Sequence, residues 1–505
     1  MFFPPMPDKN NPLFCNMKQY RLLFLSVAVI LSFVAICANA QQPQPLKQLL
    51  ASPEMHNASI GCIVKEIGSP HAKVSHLADK RLTPASVLKT ITTATALELL
   101  GETYRYPTEI QYDGFIQNGI LNGNIYIKGH GDPTLGSSQF GPESKRFMQE
   151  WLNAIRLAGI TKINGRVIAD ESIFDTEGIS MKWLYEDLGS YYGAGSYGVN
   201  MFDNMYSLYL RSGEEGTSPH ILRCDPAINI TFHNYLKAKS ISKDSAYIVG
   251  MPFVPERYLY GSIPDNQTNY KMKGDMPEPA LFSAQYLEKE LNKAGITVKM
   301  PASCYRKMQE ERSWQIKERE TLTTTYSPTL ATIIEKTNHV SHNLYADALL
   351  KTIGLRYKAN KNESISSFER GVRVMGRFWE EKGIDMSPFV IYDGSGLALA
   401  NKVTANALCS ILGYMATQSK HKKAYLQSFP QAGLEGSVRN FLKGTSLAGH
   451  AWLKSGSMSK IRCYAGYIEN QGKQYCVVLL INDYEGNIAA VNRSLSRFLL
   501  GLFGQ

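Results

Sequence analysis

Several familiar signatures are missing from this chain. After residue 40 no apolar run approaches the roughly 18 residues that cross a bilayer as a helix, so no membrane span is read there. Cysteine is sparse, with 8 in 505 residues. Those beyond residue 40 are Cys62, Cys224, Cys304, Cys409, Cys463 and Cys476, too few for a disulfide scaffold and at no zinc-like spacing. Cys463 and Cys476 flank a hairpin turn at Asn470-Gln471-Gly472 and can lie close, but pairing is not legible from sequence. His339 and His342 stand three apart around Ser341 without an H-E-x-x-H or a cysteine partner, which disfavours a metal. Gly129-His130-Gly131-Asp132-Pro133 lacks the third glycine of a dinucleotide loop, and no helical pattern follows it. No G-x-S-x-G elbow occurs, since Gly394-Ser395-Gly396 reads as a tight turn. A Ser-His-Asp triad is therefore disfavoured. There is no internal repeat and no low-complexity tract.

The N-terminus reads as an export signal. Lys18 and Arg21 precede the apolar stretch from Leu22 to Ala35, which is short for a span. Ala38-Asn39-Ala40 then matches the small-x-small pattern of signal-peptidase cleavage, which assigns residues 1–40 as signal peptide. Met17 opens a better signal than Met1 does. A lipoprotein signal at Cys37 is disfavoured by the bulk of Ile36, and an uncleaved anchor is the other rival. The expected location is the periplasm or cell envelope. The formal net charge of +10 suits anionic cell-wall polymers and lipid headgroups, not nucleic acid, or simply solubility. A chain of this length holds two or three domains.

Organisation follows from texture. Ile60–Val64 and His71–Ala78 read as strands joined near Gly68-Ser69-Pro70. A helix follows with Thr83 as N-cap, Pro84 as first residue and Gly101 as stop. Residues 104–321 are rich in turn signals and short strand-like runs, such as that around Asn118-Gly119. Helical patterns are expected at Ala284–Ala294, Leu330–Thr337, Asn343–Leu355, Glu369–Lys382 and Val403–Met415. Strands are expected at His450–Lys454, Cys463–Glu469 and Tyr475–Asn482. The stretch Val491–Phe503 is amphipathic and favours packing on a sheet over peripheral membrane contact. The reading is a multidomain α/β chain. One domain, built from 41–103 and 322–505, is split by an insertion at 104–321.

Three short motifs stand in order: Ser86-Val87-Leu88-Lys89, Ser341-His342-Asn343 and Lys454-Ser455-Gly456. The first pattern recurs at Ser240, Ser419 and Ser457, but only Ser86 opens an apolar-periodic helix. Spacing i, i+3 puts the Ser86 hydroxyl and the Lys89 ammonium on one face. A serine needs a base to take its proton, and a buried lysine near a second cation can serve. Lys454 is that cation and a magnet for a substrate carboxylate. Ser341 is placed to pass a proton to the leaving amine, and Asn343 and Ser455 to bind substrate. The backbone N–H groups of Ser86 and Ser457 are candidate oxyanion donors.

These motifs resemble those of penicillin-binding proteins and serine β-lactamases. More of the chain is similar to the low-molecular-mass class C penicillin-binding proteins, the D-alanyl-D-alanine carboxypeptidase/endopeptidases. The similarity runs through Lys80-Arg81-Leu82-Thr83-Pro84-Ala85-Ser86, Gly131-Asp132-Pro133-Thr134-Leu135, Ala169-Asp170-Glu171-Ser172-Ile173-Phe174-Asp175 and Asp393-Gly394-Ser395-Gly396-Leu397. It implies a transpeptidase-like domain with a five-stranded antiparallel sheet, interrupted by a β-rich insertion that carries another. It implies stem peptides ending in D-Ala-D-Ala as substrate, β-lactams as covalent inhibitors, and no cofactor or metal. Catalytic roles fall on Ser86, Lys89 and Ser341, and substrate-binding roles on Asn343, Lys454, Ser455, Gly456 and Ser457. Three departures stand out. Ser455 replaces the commoner threonine, His342 sits where that branch has aspartate, and Ala398-Leu399 replaces Ser-Arg. The alternatives are a serine β-lactamase and a non-catalytic cell-wall-binding scaffold.

Overall fold

Apolar strands with no alternation need cover on both faces, and the sheet that carries the third motif has it. The computed structural model describes residues 42–358 and 363–504. The signal peptide assigned to 1–40, its cleavage site and the choice between Met1 and Met17 lie outside the described residues. Strands Ser59–Glu66 (β1), Ala72–His76 (β2), Ala451–Met458 (β3), Ile461–Asn470 (β4) and Lys473–Asn482 (β5) form one antiparallel sheet in the order β2-β1-β5-β4-β3. Along β5, Cys476, Val478 and Leu480 enter one core, while Val477, Leu479 and Ile481 enter the other. Alternation is absent because each face of the strand meets helices.

The first core lies under Lys89–Leu100 (α2), Leu330–His339 (α3), Asn343–Gly354 (α4), Ser367–Glu381 (α5) and Ala405–Thr417 (α6). The second lies under Gln44–Leu50 (α1) and Ile488–Phe503 (α7), whose Val491, Leu495, Phe498 and Leu499 are buried. The apolar face of α7 is thus spent on the sheet. No helix among the described residues is long and apolar enough to cross a membrane.

Between α2 and α3 the chain builds separate sheets. One has the order Ser303–Cys304, Val167–Asp170, Ile125–Gly129, Pro107–Tyr112, Glu320–Tyr326. It shares a core, including Ile127, Trp151 and Leu287, with helices Phe147–Leu157 and Pro279–Lys293. Strands from Met205–Arg211 to Tyr270–Asp275 form smaller sheets with their own core around Tyr206, Leu208 and Leu259. The strand Glu320–Tyr326 pairs along Pro107–Tyr112, running through the border at 321. The turn at Asn118-Gly119 has φ of 51° and 80°, and that at Gln471-Gly472 has 50° and 72°, the left-handed pair a tight hairpin needs.

One expectation fails, and one open possibility is not realised. Thr83 does not cap α2. Its hydroxyl donates to the Leu399 carbonyl, its N–H donates to Asn482 Oδ1, and Asn482 Nδ2 donates to its carbonyl. Those long-range ties, with Ala85 at φ 46°, start the segment as a 3-10 turn, Ala85–Leu88, before the α-helix proper. Cys463 and Cys476 do not face each other either. Register sets Cys463 opposite Leu480 and Cys476 opposite Tyr467, and both thiols are free.

Candidate active site

The three motifs converge beside the edge strand β3. Lys89 is fully buried. Its Nζ lies 2.9 Å from Ser86 Oγ, 2.7 Å from Asn343 Oδ1 and 2.6 Å from the Ser395 carbonyl. Burial pushes the ammonium down to about 8, against the pull of Asp347 and Asp393. Lys454 is also fully buried, and its Nζ donates to Ser341 Oγ at 2.9 Å and to the Ser455 carbonyl at 2.7 Å. Burial, and then repulsion from Lys89 and Arg462, holds it well below an ordinary lysine. Two lysines are thus buried in one site, where Lys89 favours the neutral form of Lys454.

Backbone geometry explains the small residues. A Cβ on Gly456 would lie 2.6 Å from the Pro84 carbonyl oxygen and 3.1 Å from the nitrogens of Ser86 and Val87. Glycine there lets β3 run against the turn that carries Ser86. Gly396, at φ 80°, would place a Cβ 2.0 Å from the Ala85 carbonyl oxygen. Ser341 itself adopts φ 61°, a sparsely populated conformation for a residue with a side chain.

Of the residues singled out by sequence, Ser86, Lys89, Ser341, Asn343, Lys454, Ser455 and Gly456 come together. Ser457 follows them as an exposed residue on β3, opposite Arg462. Of the other S-x-x-K matches, Ser240 and Ser419 do not join them: Ser240 lies beyond Lys237–Lys239, and Ser419 Oγ donates to Glu98.

Several neighbours were not expected. Ser437 Oγ accepts from Ser455 Oγ at 2.9 Å. Asn343 Nδ2 donates to the Tyr192 carbonyl at 2.8 Å. Trp183 Nε1 donates at 2.8 Å to Asp393 Oδ2, so residues from between α2 and α3 reach the site. His342 stacks on Tyr345 at 3.9 Å, with Nε2 3.5 Å from Asp203. That contact brings the Asp203 carboxylate, from between α2 and α3, beside the middle residue of the second motif. The only advance signal for these was the D-G-S-G-L run, whose Asp393 also accepts from Gly396, Ala398 and Asn401.

A serine beside a buried lysine, with a second buried lysine and a strand edge next to it, is equipped for acyl transfer. The family model described as the D-Ala-D-Ala carboxypeptidase 3 (S13) family matches residues 42–496. The chain belongs to that family. The S13 peptidase is 23% identical over 443 residues to the D-alanyl-D-alanine carboxypeptidase DacB of Haemophilus influenzae, covering 85% of this chain and 86% of that one. It is also 23% identical over 462 residues to a D-alanyl-D-alanine carboxypeptidase of Actinomadura sp. strain R39, covering 88% and 81%. Its fold matches penicillin binding protein 4 of Haemophilus influenzae with a TM-score of 0.77 at 22% identity, covering 91% and 98%. The S13 peptidase is a serine-type D-Ala-D-Ala carboxypeptidase of the low-molecular-mass class C penicillin-binding kind.

One prediction follows from Gly456. In the S13 peptidase, Gly456→Ala is expected to leave the fold intact but lower peptidase activity by roughly 10²-fold, because a misplacement of about 1 Å between β3 and the Ser86 turn is enough in a catalytic site. Circular dichroism and a turnover assay on one preparation check both halves.

Proposed function

We propose that this peptidase cleaves the terminal D-Ala–D-Ala bond of peptidoglycan stem peptides, or the corresponding cross-link, through an acyl-enzyme on Ser86. The observation that carries the reading is the 2.9 Å contact between Ser86 Oγ and the buried Lys89 Nζ, with no carboxylate among the hydrogen-bond partners of that nitrogen in the described residues.

Lys89 takes the Ser86 proton as Oγ forms a bond to the carbonyl carbon. The developing oxyanion is met by the N–H groups of Ser86 and Ser457. As the C–N bond breaks, Ser341 hands a proton to the leaving amine and is resupplied by Lys454. Asn343 holds the substrate amide, while Lys454 and Ser455 attract the terminal carboxylate. Water then attacks the ester and releases the shortened peptide and free Ser86. β-Lactams enter as covalent inhibitors by the same first step.

We further propose export by the signal peptide at 1–40 to the periplasm or cell envelope, and the division into 41–103, an insertion at 104–321, and 322–505. The positive net charge supports contact with anionic wall polymers.

Release of D-alanine from a peptide ending in D-Ala-D-Ala tests the substrate, with the expectation of release by the wild type. No release, with rapid destruction of penicillin, would replace this reading with a β-lactamase. No release with penicillin intact would replace it with a wall-binding scaffold. The pH dependence is a second check. Protonated Lys89 cannot accept a proton, so the rate should climb with pH through about 8, the value to which burial lowers it, and level off above. A rate already flat below that point would assign the base to another group.

A further inference from the structure

Helix α4 begins at the second motif, and its polar residues recur at one-turn intervals: Asn343, Asp347 and Lys351. Spacing of four puts the three on one face. Asp347 and Lys351 are fully buried in a mostly apolar helix. Each residue makes a different tie. Asn343 Oδ1 accepts from Lys89 Nζ at 2.7 Å. Lys351 Nζ donates to the carbonyls of Glu177 and Ser196, both at 2.8 Å. Asp347 Oδ1 accepts the N–H groups of Gly394 at 2.8 Å and Ser395 at 3.0 Å. The carbonyl of that same Ser395 accepts from Lys89 Nζ at 2.6 Å.

Asp347 therefore stands one residue of backbone away from the base. Holding two N–H groups needs only an acceptor, which an asparagine supplies without burying a charge. A carboxylate buried without a direct ion pair is costly, so its charge calls for a reason. The neighbouring Asp393 already serves another purpose, binding four donors: Gly396, Ala398, Asn401 and Trp183.

We propose that Asp347 is a positioning residue for the base: it fixes the Ser395 carbonyl against Lys89, and its negative charge governs when Lys89 releases its proton. This rests on the reading of Ser86 and Lys89 as nucleophile and base. The charged groups around the pair are few. Asp347, Asp393 and Lys454 lie within electrostatic reach of Lys89. Asp347 faces Lys89, Asp393 and Lys351, and Lys351 also faces Asp175 and Glu177. Lys454 additionally faces Arg462. Burial lifts the Asp347 carboxyl to about 8, with Asp393 adding to the effect and Lys89 opposing it. The attraction runs both ways, and Asp347 holds Lys89 higher than burial alone would.

The test is the rate of Ser86 acylation by penicillin as a function of pH, followed by intact mass, in the wild type, Asp347→Asn, Asp347→Glu and a Ser86→Ala control. Asparagine keeps the acceptor and the volume and deletes the charge. Its acid limb should move to lower pH by roughly 1–3 units, the range an opposite charge commands. Glutamate should return the limb toward the wild-type position. Should the asparagine variant fail to fold, Asp347→Ser carries the same expectation of a downward shift. A role confined to holding the loop scales the whole curve and leaves the limb in place, and that result overturns the proposal. A wild type that takes no adduct on Ser86 overturns the underlying reading instead, and is recognised because the control then matches it.

Discussion

Ser86→Ala is expected to yield a folded protein whose release of D-alanine falls by roughly 10³–10⁶-fold, the range seen when a nucleophile is deleted from an otherwise intact site. The structure indicates why the fold should survive. Ser86 Oγ has one side-chain tie, to Lys89 Nζ, and that nitrogen keeps Asn343 Oδ1 and the Ser395 carbonyl as partners. The deletion therefore removes about one hydrogen bond, worth roughly 0.5–1.5 kcal/mol, and orphans nothing. Thermal unfolding and turnover measured on the same sample separate the two effects. Turnover within tenfold of wild type would mean that some other group attacks the substrate.

Lys89→Met carries the second large effect. Methionine fills much of the space of the lysine stem but cannot accept a proton. The acylation rate should fall by roughly 10²–10⁴-fold, the usual contribution of a positioned base, and the rise with pH through about 8 should vanish with it. Stability should fall modestly. Removing a buried ammonium relieves Lys454, which Lys89 pushes down, but it also leaves Asn343 Oδ1 and the Ser395 carbonyl without their donor and Asp347 without its nearby cation, and each orphaned acceptor costs roughly 1–3 kcal/mol. A folded variant that keeps both its acylation rate and the rise with pH would mean that Lys89 is only a structural tie. Rate against pH and melting temperature, taken together, decide between these.

Much of this site was legible because its parts are local in sequence. S-x-x-K, S-x-N and K-S-G each fit within four residues, and the strands β4 and β5 declare themselves by their apolar runs and by the Gln471-Gly472 turn. The parts that escaped depend on distant partners. The 3-10 start at Ala85 is set by Asn482 and Leu399, some 300 to 400 residues along the chain. No local propensity encodes that, so Thr83 and Pro84 passed for a helix start. The ties from Tyr192 and Trp183 to Asn343 and Asp393 come from a segment whose role in the site no spacing announces. The stripe Asn343, Asp347, Lys351 is a different matter. Polar residues at i, i+4 and i+8 inside a mostly apolar helix are visible in the sequence and signal a buried polar face, while the partners of that face lie far along the chain.

Intact mass of the purified protein after incubation with penicillin, followed by peptide mapping, tests the central claim most directly. The account predicts a single adduct, located on the peptide that contains Ser86 and absent from Ser86→Ala. An adduct on any other residue, or one that persists in the alanine variant, would contradict it.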